Sequence, residues 1–103
     1  MKEIEWFGDS IAVVRNFSAE VRVAFGSDLR LLQNGEKPLH ARSFSKVGRG
    51  VWELKAHDAD GQFRLMYIVK HNDRIYVLHA FQKKTQKTRK ADIDLAKARL
   101  KEI

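Results

Sequence analysis

The hydrophobic residues of this chain follow a helical period near its start and at its end, and a period of two in between. Near the start, Ser18 is predicted to cap a helix, and Asn34 with Gly35 to end it before Pro38. The apolar residues that recur at helical spacing in this helix are Val21, Ala24, Phe25, Leu29 and Leu32. Their spacing indicates a helix with one buried face.

Two shorter elements precede this helix. A strand is predicted over Ile4 to Phe7, and Gly8, Asp9 and Ser10 are predicted to form a turn with an N-cap for a short helix. The apolar residues of the short helix are Ile11, Val14 and Phe17. The two helices are expected to form a hairpin.

The period of two begins at Val51 and marks three antiparallel strands. These strands are predicted over Val51 to His57, Gln62 to Lys70 and Ile75 to Gln82, with turns at 58–61 and 71–74. A short strand or loop is expected over His40 to Ser45.

A last helix is predicted over Asp92 to Ile103, with an apolar stripe on one side and Lys97, Arg99 and Lys101 outside. The stripe comprises Ile93, Ala96, Leu100 and Ile103. The sequence therefore predicts a single α+β domain over residues 1–103, in which an N-terminal strand and a helical hairpin precede an antiparallel sheet and a C-terminal helix. The helices are expected to cover one face of the sheet.

Tight hairpins fix which residues face each other across a sheet. If both turns are four residues long, Lys70 faces Ile75, Lys55 lies opposite Arg64, and Arg64 lies opposite Phe81. Met66, Ile68, Val77 and His79 are expected to share their face. The other face is expected to carry Trp52, Leu54, Ala56, Phe63, Leu65, Tyr67, Val69, Tyr76, Leu78 and Ala80.

Two cations that lie opposite each other on neighbouring strands repel by a few tenths to ~1 kcal/mol, so folding alone does not favour Lys55 beside Arg64. A functional role for this pair is one interpretation. The alternative is that Lys55 pairs with Glu53 or Asp60 and that Arg64 points to solvent.

The charge of the chain narrows the choice of partner. Its net charge is +7 and its pI is near 9.9, which favours a polyanion, above all nucleic acid, as the partner.

Without cysteine there is no disulfide, thiolate nucleophile or cysteine-ligated zinc, and the four histidines lack the spacing of a metal site. No signal core and no apolar run of ~18 residues is present, so a cytoplasmic protein without metal or cofactor is expected.

Three segments carry a resemblance to a known family. They are GVWELK with Lys55, GQFRLMYI with Arg64, and VLHAFQKKTQKTRK from Val77 to Lys90. The chain resembles the RelE/HigB-like toxins, in particular their phage-related branch, best over Val51 to Leu100. The resemblance implies a RelE-like fold and a ribosome-dependent, metal-independent mRNA endonuclease of a bacterial toxin–antitoxin pair. It also implies a helix-turn-helix, HigA-like antitoxin as partner, beside the ribosome and mRNA, and no membrane.

The resemblance also implies roles for particular residues. Arg64 is expected to clamp the phosphate, and Lys55 and Lys83 to supply charge or, with a lowered pKa, to transfer a proton; His79 is the alternative proton carrier. The catalytic set is therefore Arg64, Lys55, Lys83 and His79, and the RNA-binding set is Phe81, Lys84, Lys87 and Arg89. Some family members carry tyrosine where this chain has Phe81, which can stack on a base but cannot move a proton.

Two other functions remain open at this level. One is a ParE-like inhibitor of DNA gyrase on the same fold, against which Lys55 beside Arg64 and the basic tail argue. The other is an inactive phage-derived nucleic-acid-binding protein, which has the same charge without the chemistry.

Overall fold

Three long antiparallel strands form the centre of the fold, and a short strand extends the sheet at each edge. In the computed structural model, which describes residues 1–103, the sheet order is β1-β5-β4-β3-β2, and β1 pairs parallel with β5. The elements are β1 (Ile4–Trp6), α1 (Ser10–Arg15), α2 (Ala19–Gln33), β2 (Arg42–Ser43), β3 (Val51–Asp58), β4 (Gly61–Lys70), β5 (Arg74–Lys83) and α3 (Lys90–Leu100). The predicted α+β class is confirmed. No helix has both the length and the apolar composition needed to cross a bilayer.

The helical hairpin forms where the sequence predicts it. The Ser18 hydroxyl accepts a hydrogen bond from the backbone N–H of Val21 at 3.3 Å, which satisfies one of the free donors at the start of α2. The helix ends at Gln33, and Gly35 follows with a φ of +81°. α1 begins at Ser10, and Asp9 occupies its N-cap position without a side-chain capping hydrogen bond.

The predicted register holds at one end of the sheet and fails at the other. Lys55 lies opposite Arg64, and Arg64 opposite Phe81, as expected. The second turn, however, has three residues, all with positive φ, and Lys70 pairs with Arg74 instead of Ile75. An irregularity beside Met66 and Tyr67, whose partners are His79 and Val77, takes up the extra residue in β5.

This bulge reverses the sides of three residues in β5. Tyr76 and Leu78 were expected to face the helical hairpin, but they lie in the core on the opposite side of the sheet. Val77 was expected beside the basic residues and instead packs under the hairpin. One extra residue inverts the alternation of a strand, so the error follows from the wrong turn length.

The sheet is covered on both faces, which corrects the expectation that helices cover only one. On one face, α1 and α2 bury Val14, Val21, Phe25, Leu29 and Leu32 against the strands. On the other, α3 contributes its predicted stripe to a second core, with Ala96 fully buried. That second core also contains Val47, Val51, Met66, Ile68, Tyr76, Leu78 and Phe81. These apolar side chains require a cover, and α3 supplies it.

Arg99 ties α3 to the rest of the molecule. Lys97 and Lys101 are exposed as predicted, but Arg99 is buried and donates hydrogen bonds to the Leu78 carbonyl at 2.8 Å and to Asp9 Oδ1 at 2.7 Å. The hydrogen bond from Arg99 lowers the pKa of the Asp9 carboxyl. Gly8 has a φ of +55°, and a Cβ there would collide with the Arg99 guanidinium. A glycine is therefore required beside this contact.

Candidate functional site

Most of the expected site residues lie at one end of the sheet, on the face that α3 partly covers. Lys55, Arg64 and Phe81 form one row across β3, β4 and β5. Along β5, Lys83 lies two residues nearer the end of the sheet than Phe81, and His79 lies two residues further from it. The structure therefore brings Lys55, Arg64, Lys83 and His79 together on three adjacent strands.

Arg64 is buried, which was not expected. Only 6% of the residue is exposed, and its Nη1 donates to the Phe63 carbonyl at 3.1 Å and to Gln62 Oε1 at 3.4 Å. Its Nε lies 3.5 Å from Glu53 Oε1, an ion pair without a well-oriented hydrogen bond. Burial lowers the pKa of Arg64, and Glu53 opposes that shift. Neither an open phosphate clamp nor a solvent-pointing arginine describes this side chain.

Glu53 holds two arginines and was not predicted as a site residue. It is 1% exposed, and its Oε1 accepts a hydrogen bond from Arg42 Nη2 at 3.2 Å in addition to the contact with Arg64. The side chain of Arg42 is 56% exposed, so this cation faces solvent from β2. The other carboxylate oxygen of Glu53, Oε2, is buried without a hydrogen-bond partner. The sequence did contain an indication of this role: Glu53 lies two residues before Lys55 in the same strand, which places both side chains on one face of the sheet.

Lys55 has no ion-pair partner, which rules out the expected alternative of a pair with Glu53 or Asp60. It is partly buried, and its pKa is lowered first by desolvation and then by the nearby charges of Arg42, Arg64 and Lys83. Glu53 opposes this shift but does not reverse it. An unpaired lysine among other cations has the environment that makes a lysine useful for proton transfer.

His79 and Phe81 are buried beneath the start of α3. Each is 7% exposed, and their rings stack with centroids 5.1 Å apart. His79 Nε2 lies 2.8 Å from Asp92 Oδ1, while Nδ1 is buried without a partner. Both side chains are therefore engaged beneath α3 and are not presented to solvent in this structure. No local sequence spacing links Asp92 to His79, so this contact had no signal.

The remaining basic residues lie beyond β5. Lys84, Lys87 and Arg89 are exposed in the segment that joins β5 to α3, and Lys83 at the end of β5 is partly buried. Arg89 Nε lies 3.8 Å from Asp92 Oδ2. These side chains extend the positive charge of the site onto the surface. No three His, Asp or Glu side chains lie together in a way that could hold a metal ion.

The five-stranded, mostly antiparallel sheet with its helical hairpin and C-terminal helix is consistent with the RelE-like fold. A model of the phage-derived Gp49-like proteins (DUF891) matches residues 12–101, and the chain belongs to this family. The match covers most of α1, all of α2, the strands β2 to β5 and α3, and leaves out β1. A search of curated proteins found no match.

Replacing Arg64 by alanine is expected to destabilise the protein, because it leaves the buried Glu53 carboxylate with Arg42 as its only ion-pair partner. We expect the free energy of unfolding to fall by about 2–4 kcal/mol in urea denaturation. Lys55→Ala, which removes no ion pair, should change it by less than about 0.5 kcal/mol. Adding Glu53→Gln to Arg64→Ala should recover part of the loss, and an unchanged stability of Arg64→Ala would show that the ion pair contributes nothing.

The pKa of Lys55 is expected to lie below 10.5 in a side-chain NMR titration. Arg42→Ala should raise it, because the variant removes a nearby cation and leaves Glu53 less neutralised. Arg74→Ala, at the far end of the sheet, is the control and should leave it unchanged. Since the lowered pKa means that the unfolded chain binds more protons, Lys55 should make stability rise with pH just below 10.5. A pKa of 10.5 or above in the native protein would contradict this account.

Proposed function

We propose that this protein is the toxin of a toxin–antitoxin pair and cleaves mRNA on the ribosome, as the HigB-like branch of the RelE-like toxins does. The observation that carries the proposal is Lys55, an unpaired lysine with a lowered pKa beside Arg64 and Lys83. Membership in the Gp49-like family supports the toxin class. The net charge of +7 supports an RNA substrate.

The proposed reaction is attack by a 2′-hydroxyl on the neighbouring phosphate. The neutral form of Lys55 takes the proton of the 2′-hydroxyl, the 2′-oxygen bonds to phosphorus, and the bond to the 5′-oxygen breaks. Lys83 donates a proton to the leaving 5′-oxygen. Arg42, whose side chain is exposed, stabilises the negative charge of the transition state, and buried Arg64 adds its field from below.

We expect cleavage to depend on the ribosome because the exposed side chains of this site do not align the RNA backbone for attack. His79 is held by Asp92, and the exposed cations are carried on flexible side chains. Such groups attract RNA but do not bend its backbone into line for attack. A ribosome that holds the mRNA in the reactive geometry supplies this alignment.

A second candidate is an inactive phage-derived nucleic-acid-binding protein. The burial of Arg64, His79 and Phe81 favours it, because three of the expected site residues are engaged inside the protein. This candidate has the same basic surface as the toxin, but it would not cleave RNA.

An active toxin also needs a partner that silences it during growth, and we propose a helix-turn-helix antitoxin of the HigA-like kind in the cytoplasm.

Inducible expression tests the two candidates. The native protein should stop growth, and mRNA should be cut in ribosome-containing extracts but not as naked RNA. Lys55→Ala should lower the cleavage rate by about 10²–10⁴-fold, the usual contribution of a general base. Lys83→Ala should also weaken it, whereas Arg15→Ala, an exposed cation on α1, should not.

Two results would count against the proposal. Undiminished toxicity of Lys55→Ala at equal soluble expression would remove Lys55 as the base. RNA binding by the native protein with neither growth arrest nor cleavage would favour the inactive nucleic-acid-binding protein.

A further inference from the structure

A cavity of about 390 Å³ opens between α2 and the outer edge of β3. β2 pairs only with Trp52 and Glu53, so the outer edge of β3 has no strand neighbour where this cavity lies. Ala24 and Ala56 contribute small apolar surfaces to it. Its polar lining consists of Glu20, His40, Lys55, His57 and Gln62.

The cavity adjoins the proposed catalytic residues. Lys55 lines it directly, and Gln62, which also lines it, accepts a hydrogen bond on its amide oxygen from Arg64. Arg64 engages only the amide oxygen of Gln62, so its amide nitrogen can donate to a ligand. Lys83 lies opposite Gln62 on β5. A nucleotide whose phosphate meets Lys55 and Lys83 therefore has this cavity beside it.

Glu20 is the feature that identifies the ligand. It is the only carboxylate in the lining, and it stands beside a cationic site in a protein with a charge of +7. A cavity that received phosphate alone would be weakened by a carboxylate, because the two charges repel. A nucleobase, in contrast, has N–H groups that can donate hydrogen bonds to a carboxylate.

We infer that this cavity binds a guanine base of single-stranded RNA next to the phosphate that is cut. Guanine has two adjacent donors, N1–H and the N2 amine, for Glu20, and beside them the O6 acceptor for the amide nitrogen of Gln62. None of the other three bases combines these three groups. The volume is sufficient for a base and its ribose, and the inference rests on the proposed function because RNA is the assumed substrate.

Four short RNAs test this inference without the ribosome. Each is a uridine tract with G, A, C or U at its centre, and each carries 2′-O-methyl groups so that it cannot be cut. Binding is followed by NMR at the backbone amides of Ala24, Ala56 and Gln62. The RNA with guanine should bind about tenfold more tightly than the others, the scale of one good two-point base contact.

Glu20→Gln should remove the preference for guanine, because it replaces one of the two acceptor oxygens by an amine that faces a guanine donor. Glu20 is exposed, so this change should leave the fold intact. Glu36→Gln is the matched control: it removes the same charge from an exposed residue outside the cavity and should keep the preference.

Three results would overturn the guanine site: equal binding of the four RNAs, a preference that survives Glu20→Gln, or NMR changes elsewhere on the surface. If ribosome-dependent cleavage occurs without guanine preference, only the base site is wrong. If guanine is preferred but neither toxicity nor cleavage occurs, the base site stands and the proposed reaction is wrong.

Discussion

A carboxylate buried beneath the sheet surface organises the cationic end of this molecule. Removing a charge from water is costly unless it is paired, and Glu53 is paired twice, with Arg64 from β4 and Arg42 from β2. Both arginines approach the same oxygen, Oε1, so the carboxylate links three strands. Lys55, on the same face of β3, is left without a counterion. Desolvation lowers the pKa of this lysine first, and the cations Arg42 and Arg64 that pair with Glu53 lower it further.

The position of α3 sets the limits of the accessible site. Its apolar stripe covers the second core, and polar contacts fix it at both ends, through Asp92 with His79 and Arg99 with Asp9. This cover encloses His79 together with Phe81. The surface that remains for a substrate is therefore built from Lys55, Lys83, Arg42 and the exposed basic residues after β5.

The sequence was sufficient for the order of elements and for the central register, since those depend on local caps and on strand alternation. The position of Lys55 opposite Arg64 follows from a two-residue period and one turn length. The three-residue turn and its compensating bulge had no such local signal, and the sides of Tyr76, Val77 and Leu78 were consequently wrong. The sequence also did not predict which charged side chains are buried, because a charged residue is normally expected at the surface. Arg64 and Arg99 are buried because distant acids, Glu53 and Asp9, meet them only in the folded chain.

The proposed attack by a 2′-hydroxyl is tested most directly by the chemistry of the broken RNA ends. The ends of mRNA fragments from cells that express the protein can be identified by selective ligation and sequencing. Attack by the 2′-oxygen predicts cuts within coding sequences that leave a 5′-hydroxyl on one side and a 2′,3′-cyclic phosphate or 3′-phosphate on the other. Fragments that carry a 5′-phosphate and a 3′-hydroxyl would contradict the account, because water or hydroxide would then have been the nucleophile.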